Sequence, residues 1–231
     1  MSLMPELRPD LLPKLRPDLL PAPLPDRPPA LLRRAGGLLA LGLAACATPP
    51  ALHLHSLMPD PAAAVAPAPS PPLTIQLGPV MVPAQVDQPQ WLVRLPDGTL
   101  ALLDNERWAS PLRDELRAAL RETLARRWGV QDAAGAVAAT PAWRVNLELL
   151  RLDSSPGRET RIDAQWALSG VPMVAGQPTL GCRATLRQTV GAGSVALADG
   201  HRRLVARLAD QIGRQLRALN RGEAPPCEAD E

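Results

Sequence analysis

The sequence predicts an α+β fold, one antiparallel β-sheet with two amphipathic helices packed on one face. Three observations carry this. Segments 143–149, 161–168 and 179–190 alternate apolar and polar residues with a period of two, as strands with one covered face do. Leu112, Leu116, Leu120, Leu124 and Trp128 recur every four residues, a helical stripe. Leu197, His201, Leu204, Val205, Leu208, Ile212, Leu216 and Leu219 form a second, longer stripe near the C-terminus.

Taken in order, the folded body is expected to open at Leu73. Residues 74–82 read as a strand with Ile75 and Leu77 on one face, and Gly78-Pro79 marks a bulge or an edge. Residues 90–95 form a second strand. Pro96-Asp97-Gly98 then signals a turn, and 99–103 return as the hairpin partner. Ser110 is placed to cap the first helix, Pro111 suits its first position, and Asp114 and Glu115 suit the positive end of its macrodipole. Arg113, Arg117, Arg121 and Arg126 take the wet side, Glu122 and Arg126 pair at i,i+4, and Gly129 ends the helix.

After an Ala/Gly loop (131–140), Trp143, Val145, Leu147 and Leu149 face inward, with Arg144, Asn146 and Glu148 opposite. Pro156-Gly157 turns the chain. Ile162, Ala164, Trp166 and Leu168 then come back inward, and Leu180, Cys182, Ala184 and Leu186 complete a third strand. The second helix covers this sheet and closes at Gly222. Its six arginines from Arg202 to Arg221 read as a solvated face.

Ahead of the body lies a different kind of sequence. Arg33-Arg34 precede eleven uncharged, mostly apolar residues and then Cys46, the layout of a secretory leader. The run is too short for a bilayer span, which needs about 20 apolar residues. Leu43-Ala44-Ala45-Cys46 resembles the lipobox of bacterial lipoproteins, in which the Cys is acylated and becomes the mature N-terminus. Ala47, rather than Asp, favours the outer membrane by the same resemblance. Upstream, Leu7-Arg8-Pro9-Asp10-Leu11-Leu12-Pro13 recurs as Leu15-Arg16-Pro17-Asp18-Leu19-Leu20-Pro21, too rich in proline for helix or ladder. The expected organisation is therefore a Pro-rich extension (1–32), a leader (33–45), a lipidated Pro/Ala-rich tether (46–72), one domain (73–222) and a tail (223–231). The tether's composition favours a semi-rigid polyproline spacer, although 52–57 can instead pair with the sheet.

Composition narrows the function classes. A net charge of +2 and an aromatic fraction of 2%, with five Trp and neither Phe nor Tyr, argue against a nucleic-acid partner. With Cys46 acylated, Cys182 and Cys227 are left either bridged, as in an oxidising compartment, or as one buried and one free thiol. His53 and His55 share a face if extended, a spacing open to a metal, but the third histidine, His201, is distant, and polar residues on an edge strand are the simpler reading. Asp153 and Asp163 read as surface ion-pair partners, not as an acid/base couple. No nucleophile elbow, His-Glu-x-x-His helix or phosphate loop occurs, so no catalytic residue, metal or cofactor is expected.

Further motifs carry a family resemblance. Gly78-Pro79-Val80 with Pro83, Asp87-Gln88-Pro89-Gln90, and Asn105-Glu106-Arg107-Trp108-Ala109-Ser110-Pro111-Leu112 resemble the ABC-type transport auxiliary lipoproteins, the PqiC-like family. Arg161 to Trp166 and the final helix fit as well. The family's aromatic element after the Cys is replaced by Leu54-His55-Ser56-Leu57, and Gln88 stands where an Arg is common. The resemblance implies an outer-membrane-anchored, non-enzymatic subunit of an MCE-type intermembrane lipid transport system that docks the periplasmic MCE tunnel protein. Phospholipid and a second copy of the chain are further candidate partners. Asp87, Gln88, Pro89, Arg107 and Trp108 match family motifs and are candidate partner-binding residues, each with an ordinary structural explanation as a turn or a core plug. The alternative function is a structural envelope-integrity lipoprotein without a role in lipid flux.

Overall fold

Two sheets share the core, where one was expected. The computed structural model describes residues 50–61, 71–133, 142–172 and 179–228. The proline repeat, the leader, Cys46 and tether residues 47–49 and 62–70 lie outside the described residues. In chain order the elements are β1 (His53–His55), β2 (Leu73–Met81), β3 (Gln90–Arg94), β4 (Leu100–Trp108), α1 (Leu112–Trp128), β5 (Val130–Asp132), β6 (Trp143–Ser155), β7 (Glu159–Gly170), β8 (Thr179–Thr189) and α2 (Ser194–Asn220).

The small sheet has the order β1-β4-β3 and the large one β5-β2-β6-β7-β8. β1 runs parallel to β4, and β2 runs parallel to both β5 and β6. The pairs β3–β4, β6–β7 and β7–β8 are antiparallel. The single antiparallel sheet is thus corrected to two sheets, both mixed. Alternation reports which face of a strand is covered, not which way its neighbour runs. Parallel neighbours need a long crossover, and the chain from β3 through α1 supplies it between β2 and β6.

Within the strands, the inward residues are those the period picks out. Trp143, Val145, Leu147, Leu149, Ile162, Ala164, Trp166, Leu168, Cys182, Ala184 and Leu186 are all buried. The irregularity in β2 falls between Leu77 and Val80, at Gly78-Pro79. Glycine fits this close approach: a Cβ at Gly78 would lie 3.3 Å from the Val145 carbonyl and 2.8 Å from Asn146 Oδ1, the end of an exposed side chain that would have to move.

α1 begins differently from expectation. Pro111 occupies the N-cap and no side chain caps the helix. Ser110 Oγ donates instead to Glu115 Oε1 at 2.8 Å, because Glu115 is turned into the body rather than toward water. Gly129 closes the helix in the left-handed region at φ 60. The helices meet where Trp128 lies against Gly213, where a Cβ would come within 2.7 Å of Trp128 Cδ2. Trp128 Nε1 donates to Asp210 Oδ1 at 2.9 Å, which fixes the ring.

The tail returns to the large sheet. Cys182 and Cys227 are joined in a disulfide, with Cα atoms 5.5 Å apart. Buried Gln215 accepts from Trp166 Nε1 at 2.7 Å and donates to the Pro226 carbonyl at 3.3 Å, so α2, β7 and the tail are fastened at one point.

Candidate functional site

Residues 53–57, ahead of the expected start of the domain, are built into the body, and this junction is the candidate site. β1 lies beside β4 in parallel register, His53 with Glu106, Leu54 with Arg107 and His55 with Trp108. Both histidines therefore face the same way and reach one carboxylate. His53 Nδ1 is 3.0 Å from Glu106 Oε1, and His55 Nε2 is 2.5 Å from Oε2. Burial pushes the Glu106 carboxyl up, but hydrogen bonds from His53, His55 and Ser194 outweigh it, leaving the group below the usual range.

A second carboxylate secures the next turn of chain. Glu115 Oε2 accepts from Ser56 Oγ at 2.7 Å and from the Leu57 amide at 2.9 Å. Leu57 is 1% exposed, a full member of the core. The Ala109 amide donates to the His55 carbonyl at 2.7 Å, and Arg202 reaches the Ser56 carbonyl from α2 at 3.4 Å. Of the two sequence readings of 52–57, free spacer or sheet partner, the structure takes the second.

Beneath this strap lies a stack of rings. The His55 and Trp91 centroids are 4.6 Å apart, and those of Trp91 and Trp108 are 4.5 Å apart. Both indoles meet His201 edge-on, at 6.4 and 6.0 Å. His201 is fully buried, and its Nε2 lies 2.8 Å from Ser154 Oγ. Burial pushes its pKa down to about 3, so it is neutral at physiological pH. Ser154 and His201 have the composition of a nucleophile–base couple, but both are buried in the core.

The motif residues converge on this region. Asp87 pairs with Arg113 and pins the 82–89 loop to α1, with Val86 buried beneath. Gln88 Nε2 donates to the Gln85 carbonyl at 3.1 Å, and Pro89 is exposed. Gln90 pairs with Arg107, so the Asp-Gln-Pro-Gln and Arg-Trp motifs lie side by side. Trp108 is 7% exposed and fills the ring stack, whereas Arg107 points to the opposite face of the small sheet. Its buried Nε has no hydrogen-bond partner among the described residues.

Asp153 and Asp163 sit in ion pairs with Arg94 at 3.3 Å and Arg161 at 2.7 Å. Among the described residues no group of three His, Cys, Asp or Glu is arranged to hold a metal ion, and His53 and His55 bond to Glu106 instead. On the uncovered face of the large sheet a shallow depression of about 730 Å³ runs past Met81, Asn146, Glu148, Gln165 and Arg183. Gln165 bridges Glu148 at 2.7 Å and Arg183 at 3.4 Å across its floor.

Sequence reasoning missed Glu115 and Glu106. Glu115 follows Leu112 by three residues and so shares its buried side, a signal masked by its equally good fit to the helix dipole. Glu106 stood inside the motif that enters α1, but its role comes from His53 and His55, on a strand fifty residues earlier.

No helix among the described residues is long and apolar enough to cross a membrane. Solved structures share the fold. One, titled only as an uncharacterized protein, aligns with TM-score 0.55 at 17% identity, covering 66% of this chain and 97% of its own. Protein XCC0632 from Xanthomonas campestris, of family DUF330, aligns with TM-score 0.52 at 17% identity, covering 74% of this chain and 98% of its own. No curated protein matches in sequence. Residues 55–213 match the family model described as the ABC-type transport auxiliary lipoprotein component. That span takes in the strap from His55 onward, the paired motifs, β2 to β8 and most of α2, and the chain belongs to this family.

Proposed function

We propose that the chain is the outer-membrane-anchored subunit of an MCE-type intermembrane lipid transport system, acylated at Cys46 and docked on the periplasmic MCE tunnel protein. Family membership supports an accessory role in transport, and the lipobox supports the anchor. The observation that carries the reading is the strap. Seven positions after Cys46 the chain is already clamped by Glu106 and then by Glu115. An acyl anchor pulled by the membrane thus acts on a rigid body rather than on a slack spacer, which suits a part holding a large assembly in register with a bilayer. We assign the Asp87–Pro89 loop, beside the strap, to contact with the tunnel protein, with Trp108 supporting it from below; Arg107, on the outer face of the small sheet, stands outside that contact.

The test is affinity capture of the MCE protein from detergent-solubilised envelopes by the full-length, tagged lipoprotein. Co-purification, weakened by Asp87→Lys, is expected. A lipoprotein recovered at native abundance without any MCE protein contradicts the docking role and favours an envelope-integrity lipoprotein.

A further inference from the structure

The outer faces of the two sheets differ in chemistry. The large sheet shows water Arg144, Asn146 and Glu148 on β6 and Arg161, Asp163 and Gln165 on β7, the usual solvated face. The small sheet shows leucine. With Trp91 and Val93 turned into the core, Leu92 faces out opposite Leu102, beside Leu100, which pairs with Arg94. On β1, Leu54 faces out beside Arg107. Leu52, Leu54, Leu100 and Leu102 are 51, 61, 49 and 48% exposed. A soluble sheet seldom leaves so much leucine on its wet side without a covering partner.

The chain itself indicates the partner. Six residues lie between Cys46 and His53, and the seven steps from one to the other span at most about 25 Å when fully extended. β1 and its outward leucines are thus leashed close to any bilayer that holds the acyl chains. A leash this short gives the patch a high effective concentration at the lipid surface, so a contact too weak to form from solution becomes populated. Arg107, half-buried on the outer face with Leu54 alongside, supplies a cation for phosphate at the boundary between headgroups and acyl chains.

We propose that the outer face of the small sheet, centred on Leu54, Leu102 and Arg107, rests on the phospholipid surface into which Cys46 is anchored. This rests on acylation at Cys46 and adds an orientation: the β1-β4-β3 sheet lies toward the lipid, and the large sheet's polar face is left to the periplasm.

The experiment uses the full acylated protein in vesicles of equal parts phosphatidylethanolamine and phosphatidylglycerol. Single cysteines replace Leu54, Leu102 or Met81, the last an exposed residue on the large sheet, and carry an environment-sensitive fluorophore. The labels at 54 and 102 are expected to shift to the blue on reconstitution and the label at 81 to stay at its aqueous wavelength. Arg107→Glu should abolish the shift at 54 and Arg107→Lys preserve it. Vesicle-bound protein with 54 and 102 still in water overturns the orientation and leaves the anchor intact. Failure of the anchor reads out separately, as a wild-type protein that floats with vesicles no better than Cys46→Ser. A blue shift in lipid-free protein that grows with protein concentration assigns the face to a second copy and also overturns the proposal.

Discussion

The amide of Leu57 donates to Glu115 Oε2 across 2.9 Å, joining the segment that follows the lipobox to the first turn of α1. The same carboxylate serves Ser56 and Ser110, so three donors depend on one side chain that is 6% exposed. Glu115→Ala leaves them without an acceptor and is expected to destabilise the protein by about 2–3 kcal/mol. Glu115→Gln, which keeps one acceptor oxygen, should cost less. Urea denaturation gives the energies, and limited proteolysis within 50–61 should speed up in the same order.

His201 makes stability depend on acid. Its folded pKa is about 3 against 6.5 when unfolded, so the unfolded chain takes up the proton first. The stabilisation is complete above pH 6.5 and is lost as pH falls toward 3, with a slope approaching about 1.4 kcal/mol per pH unit. Comparing urea midpoints at several pH values between 6 and 4 for the wild type and His201→Gln isolates this contribution. The variant should start less stable but lose less on acidification.

The disulfide closes a loop across a sequence separation of 45 residues. By the chain-entropy model Cys227→Ser should lower stability by about 3–4 kcal/mol. Thermal melts with and without reductant should differ for the wild type and coincide for the variant.

Gly213→Ala tests the contact between the helices. Trp128 is fixed by Asp210 and by Arg214, whose guanidinium carbon lies 5.9 Å from the ring centroid, so the indole has little freedom to yield. A loss of about 1–3 kcal/mol is expected, and Trp128→Leu in the same background should recover part of it. Thermal denaturation of the three proteins decides the point.

These residues also show what was legible beforehand. The inward sets on β6, β7 and β8 and the whole apolar side of α2 follow from periodicity, because burial of one face imposes the pattern directly. Strand partners do not: β2 alternates in the same way whether β6 runs with it or against it. β1 was legible as an edge strand carrying His53 and His55, but three residues hold too little pattern to name β4 as its partner. Ser110 looked like a cap from its neighbours alone, but the Glu115 carboxylate five residues on, turned inward to hold Ser56 and Leu57, took its hydroxyl instead. Trp108 was legible as a plug. The outward turn of Arg107 required the β4 register, which a bulge beside Gln90 resets.

The most direct test of the account is mass spectrometry of the mature protein isolated from cell envelopes. It predicts an N-terminal peptide that begins at Cys46 and carries acyl chains. An N-terminus elsewhere, or an unmodified Cys46 in a protein free of the membrane, would contradict it.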